Sequence, residues 1–579
     1  MSKLGQKKAI VVGAGAGGIA TAARLAKAGF SVTVLEKNAF TGGRCSILTH
    51  EGHRFDQGPS LLLLPKLFQE TFHDLDTSLE DEGVELLRCP TNYNVWFADG
   101  ENFELSTDLA RMKAQIERWE GKDGFARYLA WLREAHVHYE LSVRDVLHQN
   151  FTRLLDLAVP RFVLTGLRIH PLHSIWNRAS KYFWSERLRR VFTFATMYMG
   201  MSPFDAPATY SLLQYTELAE GIWYPKGGFQ TVLAALQRVG ERLGVTYRLE
   251  APVAQILTRD DGKTARGVRL ESGEELDADV VVVNADLVYA YSNLFPQTPT
   301  DDTSKYSKAL RRKDGSCSSI SFYWSMDRTI PELQTHNIFL ADEYRESFDS
   351  IFERQTLPRE PSFYINVPSR IDGSAAPEGR DSMIALVPTG HLLKSKGFAQ
   401  SDDAGGLSRD EEDWPALVQR ARESVLSIIA ARTGCVPLRE HIAHEIVNDP
   451  MAWEDKFNLD KGSILGLSHS FFNVLAFRPS TRARGFENAY FVGASTHPGT
   501  GVPIVLAGAK ITVEQLLGDR GIEPPWRGNK ERIHDQGVRQ DARTAVLDRI
   551  HKPWSASFVL MLLMAVWFAL VLAYWRPLI

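Results

Sequence analysis

Cysteine is scarce in this chain. Cys45, Cys89, Cys317 and Cys435 are the only four in 579 residues, and none forms a C-x-x-C pair. That excludes a zinc ribbon and a disulfide framework, and it fits a reducing compartment. Charge of one sign is also missing. Lys and Arg total 66 against 70 Asp and Glu, a net charge of −4, so no basic surplus marks a nucleic-acid partner. The N-terminus, MSKLGQKKAIVVGAG, has too short an apolar stretch for a secretory signal. Internal repeats and long low-complexity tracts are absent.

Long hydrophobic runs are equally rare, with one clear exception. Residues 554–575 read WSASFVLMLLMAVWFALVLAYW, without a charge, which is enough to cross a bilayer as a helix. Trp554, Tyr574 and Trp575 stand where interfacial aromatic anchors belong. A buried core helix is the alternative. The run's place at the extreme C-terminus, behind a polar linker at 518–553, favours the membrane. Arg539, Arg543, Arg549 and Lys552 precede it and Arg576 follows, so the positive-inside bias keeps the body cytosolic. The expectation is a single-pass tail anchor in the endoplasmic reticulum. Residues 151–176 mix apolar side chains with Arg153, Arg161 and Arg168, a pattern shared by membrane-surface segments and by core helices with a solvated face.

The length predicts two or three domains. At its start, KAIVV reads as a buried strand, 17–28 as a helix, and SVTVLE as a second strand ending at Glu36. Between strand and helix lies Gly13-x-Gly15-x-x-Gly18. Gly13 permits the tight turn, Gly15 lets the backbone approach a pyrophosphate, and Gly18 lets helix and strand pack closely. The helix N-terminus offers free N–H groups to phosphate. Glu36 is placed to accept hydrogen bonds from ribose hydroxyls, and its charge argues against a 2′-phosphate. Gly42-Gly43-Arg44 follows, and a cation beside a glycine turn pairs with the same pyrophosphate, which tilts the reading toward FAD.

A second glycine turn lies near the other end. YFVGASTHPGTGVP passes from a short strand into a helix over 502–517, with Pro503 in its first turn, where a missing N–H costs nothing. One long cofactor explains both turns. The first holds the pyrophosphate; the second, through Gly493, Thr496 and His497, grips the ribityl–flavin part. His497 reads equally as a structural turn residue. His441, His444 and Glu445 lack the H-E-x-x-H arrangement and a third ligand, so no metal site is read.

Together these residues carry a family resemblance. The stretch from Asn488, N-x-YFVGASTHPGTGVPIVLAGA, resembles the signature region of the bacterial and fungal phytoene desaturases. RFDQGPSL, MYMGMSP, LLQYTELAEGIWYPKGGF, NADLVYAY, SSISFYWSMD, NVPSRID and GSILGLSH are similar to the fungal branch. The resemblance covers roughly residues 8–517. It implies an α/β fold: a Rossmann-like FAD-binding domain of the amine-oxidase/GDI type, a mixed β substrate domain, a helical membrane-facing part and, here, a C-terminal transmembrane helix. The corresponding segments are FAD-binding parts at 1–100, 231–295 and 481–517, a helical membrane-facing region at 101–230, and a substrate domain at 296–480.

The resemblance also implies the chemistry. Phytoene, a C40 polyene, is dehydrogenated successively through carotene intermediates to lycopene, or on to 3,4-didehydrolycopene. FAD takes the electrons, with NAD, quinone or oxygen as the acceptor beyond it. Gly13, Gly15, Gly18, Glu36, Gly43, Arg44, Gly493, Thr496 and His497 carry the cofactor roles. No catalytic base follows from the sequence, and homo-oligomer formation stays open. Phe322, Tyr323, Trp324, Phe363 and Tyr364 are candidate walls of an apolar tunnel, with ordinary sheet core as the alternative. Other readings of the scaffold are an amine oxidase, a polyene saturase or isomerase, and a non-catalytic prenyl-lipid carrier of the Rab GDP-dissociation-inhibitor kind. Intact glycines at both turns, Glu36 and the hydrophobic tail argue against the carrier.

Overall fold

The computed structural model describes residues 7–527, except 160–161, 163–164, 167, 297–301 and 394–412. Among the described residues no helix is long and apolar enough to cross a membrane. The hydrophobic run at 554–575, and the linker beyond Arg527, lie outside the described residues.

The N-terminal pattern folds as a βαβ unit: β1 (Lys8–Val12), α1 (Ala16–Lys27) and β2 (Ser31–Leu35). These strands sit in a five-stranded sheet, all parallel, in the order Ala489–Phe491, Val280–Val283, β1, β2, Thr246–Arg248. Parallel strands are covered on both faces, so they read as unbroken apolar runs; Val280–Val283 is four buried valines. On one face α1 packs with the helices Gln230–Arg242 and Val502–Gly518, through Ile19, Ala23, Leu236, Leu506 and Val513. On the other, Ile10, Val12 and Val281 meet a three-stranded antiparallel sheet through Ile256, Val268 and Leu270. Both ends of the described chain thus converge on one sheet.

A second, seven-stranded sheet runs in the order Ile442–Asn448, Ser318–Met326, Ser382–Thr389, Phe363–Asn366, His336–Phe339, Tyr93–Trp96, Asn102–Leu105. Pairing is antiparallel except between His336–Phe339 and Tyr93–Trp96. Its last two strands come from residues 93–105, far ahead of the others in the chain. Side chains alternate between its faces. Phe322, Trp324, Phe339, Phe363 and Met383 pack under the helix Trp414–Thr433. Ile338, Tyr364 and Leu386 turn to the opposite side, toward a large cavity.

The region 109–220 is mostly helical and packs an aromatic core around Tyr128, Trp131, Phe183 and Phe192. The described residues of 151–176 do not form one amphipathic helix. They include a 3-10 turn at Leu154–Ala158, and the short helix Ile175–Ala179 begins near their end.

Candidate active site

One cavity of about 1960 Å³ joins the two sheets. Gly13, Gly15, Gly17, Glu36, Gly43 and Arg44 line one part of it, and Gly493, Thr496, Thr500 and Gly501 line the same space from the far end of the chain. The remainder is mostly apolar, with Leu61, Met197, Ile338, Leu386 and Phe477 among the lining side chains. Leu154, Leu155, Leu172 and Phe472 line it as well and are more than half exposed, so the apolar passage opens at the surface there.

The first turn has the geometry its glycines predict. Gly13 adopts φ +97°, and a Cβ on Gly18 would lie 2.0 Å from the Gly13 carbonyl oxygen. Gly18 itself does not line the cavity; it sets the contact between α1 and β1. A Cβ on Gly15 would meet Asn284 Nδ2 at 2.9 Å, and the Oδ1 of Asn284 is buried without a partner. Asn284 follows the strand Val280–Val283 directly and closes the floor of the turn. Arg44, partly buried on the cavity wall, donates to the Ile464 carbonyl. Burial holds its guanidinium below the ordinary range, opposed by Cys45 and Asp286.

Glu36 is 6% exposed. One of its oxygens accepts from Ala14 N–H at 2.8 Å, and the other accepts from the Asn38 backbone and side chain at 2.9 Å. Both helices that point at the cavity start without a side-chain cap: α1 at Gly15, and Val502–Gly518 at Gly501. Their first N–H groups are left for a ligand, and the positive ends of both helix dipoles face the same space. A glycine cradle, an acid at the end of β2, an orphaned amide oxygen and two uncapped N-termini supply the donors and acceptors that a dinucleotide cofactor would need.

His497 is placed differently from the flavin-side expectation. It is 1% exposed and does not line the cavity; its Nε2 lies 2.8 Å from the Gln149 carbonyl oxygen, and its ring packs edge-on against Phe151. Burial pushes it down to about 4, so it is neutral and ties the second turn to the segment leading to the cavity mouth. The aromatic tunnel walls also need correction. Phe322, Trp324 and Phe363 face the helix Trp414–Thr433, and Tyr323 packs on Phe55. Only Tyr364 of the five reaches the cavity. Period-two alternation separates neighbours such as Phe363 and Tyr364, but sequence alone does not say which face a helix covers.

Several polar groups escaped the sequence reading. Tyr364 Oη lies 2.8 Å from Ser60 Oγ and 2.7 Å from His336 Nδ1. Burial pushes His336 down to about 3. Asp286, also on the cavity wall, is pushed up to about 7 by burial and by Asp460, against the Tyr289 N–H it accepts and Arg44. Behind the wall, burial lifts Glu217 to about 8; Tyr93 donates to it at 3.1 Å and Gln214 at 3.0 Å. Tyr364, His336 and Tyr93 stand singly on strands and Glu217 singly in a helical turn, so no motif marks them.

The histidines at 441 and 444 do not converge. His441 bonds Asp327, His444 stacks on His50, and Glu445 accepts from Arg422 and Trp324. Glu134, His138 and His170 do stand together. Arg178 and Tyr182 already donate to Glu134, and His138 bonds Ser211 and the Arg168 carbonyl.

Residues 16–386 match the family of flavin containing amine oxidoreductases. The chain is 63% identical to a phytoene desaturase of Neurospora crassa, over 91% of this chain and 88% of that protein. It is 39% identical to a zeta-carotene-forming phytoene desaturase of Myxococcus xanthus, over 93% of this chain and 97% of that one. Among solved structures, an oxidoreductase from Methanosarcina mazei shares the fold with a TM-score of 0.58. That match has 16% identity and covers 88% of this chain and all of the other.

Proposed function

This chain belongs to the flavin containing amine oxidoreductases and, within them, to the phytoene desaturases, and on that premise we propose that it dehydrogenates phytoene stepwise to lycopene with FAD as its cofactor. The observation that carries this reading is the continuity of the cavity. A polar end built from both glycine turns runs without a break into an apolar end that opens at exposed leucines.

Bound FAD supplies a two-electron acceptor for the hydrogen removed from carbon. The residues of the chain do the rest. Glu36 and the turn Gly13–Gly18 hold the adenosine and pyrophosphate end, with Gly43 and Arg44 beside them. Gly493 and Thr496, before the second uncapped helix, hold the ribityl and ring end; His497 braces that turn from behind. A hydrocarbon offers no polar handle, so its binding energy comes from apolar burial, at about 25 cal/mol per Å². Ile338, Leu386 and Met197 supply that surface, and they keep water from the reacting carbons. NAD, quinone and oxygen are the candidate acceptors for the electrons.

The exposed Leu155, Leu172 and Phe472 at the mouth, with Arg153 nearby, suit a bilayer surface from which a polyene enters. Residues 554–575 serve as the tail anchor, with the body on the cytosolic side of the endoplasmic reticulum. Removing residues 553–579 is expected to move the enzyme from the membrane to the soluble fraction; undiminished retention contradicts the anchor. The function itself is tested by incubating FAD-loaded enzyme with phytoene in liposomes. A structured visible band must grow, and its position counts the double bonds added. Flavin binding without any new band overturns the assignment.

A further inference from the structure

Arg478 is a buried cation that pairs with no carboxylate among the described residues. It is 2% exposed, and all five of its N–H bonds end on backbone carbonyls. Nε donates to Thr496 O at 3.1 Å; Nη1 donates to Ser468 O at 3.0 Å and Asn473 O at 2.7 Å; Nη2 donates to Leu467 O at 3.3 Å and to Ala494 O. Among the described residues no carboxylate bonds it. Carbonyls satisfy the donors without cancelling the charge, and an unpaired buried charge is costly. The carbonyl clamp ties several loops together, and the charge it leaves uncancelled acts on whatever lies close by.

The position of Arg478 decides what that is. Ala494 and Thr496, whose carbonyls it holds, line the cavity at the second glycine turn. The guanidinium therefore sits one residue layer behind that wall. The titratable groups around it do not offset the charge. His469, which lines the cavity and accepts from Thr500 N–H at 3.1 Å, is held well below the ordinary range by burial and by Arg478. His497 is kept neutral in the same way. Burial holds the Tyr210 phenol above its usual range, hence neutral. Lys313, half buried and bonded to Asn473 Oδ1 at 2.8 Å, adds a second cation, with Asp314 beside it. The uncapped N-terminus of Val502–Gly518 points the same way.

We propose that Arg478 sets the redox poise of the site: its fixed charge behind Ala494–Thr496 favours the reduced, negatively charged form of the flavin ring. The inference rests on the FAD reading above. A ring that has taken two electrons and one proton carries one negative charge, while the second hydrogen of the substrate leaves as a proton. A preorganised cation stabilises that charge without reorganisation cost. Arg478 is a positioning residue in this account, since it acts across the wall and does not touch the cofactor.

The test is the two-electron midpoint potential of the FAD-loaded full chain. Arg478→Met removes the charge at similar volume and is expected to weaken the preference for reduced over oxidised cofactor at least tenfold, a fall of about 30 mV. Arg478→Lys loses carbonyl bonds but keeps the charge, so its stability drops while its potential stays near wild type. A Met variant that binds FAD at the wild-type potential overturns the proposal. If neither variant takes up FAD, the wild-type enzyme decides, with free FAD measured alongside. An anionic reduced ring takes up one proton per two electrons, so between about pH 5 and 6 a tenfold change in proton concentration moves the potential by about 30 mV. A slope of about 59 mV, that of two protons, overturns it. Wild-type enzyme that binds no flavin contradicts the FAD reading instead.

Discussion

Glu36 and Ala14 are joined across the first glycine turn, the carboxylate accepting the backbone N–H at 2.8 Å. The acid at the end of β2 and the loop that approaches the phosphates are thus one unit, and its loss acts on both. Glu36→Gln keeps the shape and removes the charge. FAD affinity is expected to fall about tenfold, ~1.4 kcal/mol, in a fluorescence titration of apoprotein. Unchanged affinity means that the carboxylate does not face the ribose.

Gly18 has no room for a side chain. Gly18→Ala drives a methyl into the Gly13 carbonyl, so α1 moves off β1. A loss of roughly 1–3 kcal/mol is expected, with weaker FAD retention. Gly518→Ala is the control: nothing lies within 4 Å of its added Cβ, and the melting temperature stays within about 2 °C.

The two faces of the seven-stranded sheet separate substrate effects from stability effects. Leu386→Trp fills the cavity from its wall and is expected to cut phytoene turnover about tenfold or more, leaving the flavin spectrum intact. Phe322→Ala opens the core under Trp414–Thr433 and is expected to cost roughly 3–5 kcal/mol in chemical denaturation. Reversed outcomes contradict the assignment of faces.

Acid is expected to destabilise this fold through its buried neutral histidines. Burial pushes His138 and His497 down to about 4 and His336 to about 3, each below the ordinary 6.5. A depressed folded-state value means that their stability is full above about pH 6.5 and is lost as pH falls toward 4. His138 and His497 each account for up to roughly 3 kcal/mol. His497→Gln is expected to flatten that acid limb in equilibrium unfolding. An acid limb identical to wild type contradicts the buried neutral state of His497.

The βαβ unit and its glycine turn are legible because their signals are local. A tight turn, a close helix approach and an acid at a strand end each demand one residue type at a fixed spacing, and residues 8–36 supply all three. The second glycine turn, at 493–501, links the two ends of the chain, because a single long cofactor needs both. The cavity wall was less legible. Phe322 and Tyr364 look alike in an aromatic strand, and only the packing of Trp414–Thr433 decides which face is core. His497 stands in the signature region, yet the fold turns its ring away toward Gln149. Arg478 gave no signal, because its partners are backbone carbonyls, which no side-chain pattern encodes.

The most direct test of the account is anaerobic mixing of FAD-loaded enzyme with phytoene liposomes in a stopped-flow spectrometer. The oxidised flavin band is expected to bleach at the rate at which the first new polyene band appears, one double bond for each flavin reduced. A polyene band that grows while the flavin stays oxidised, or a flavin that never bleaches with phytoene bound, contradicts it.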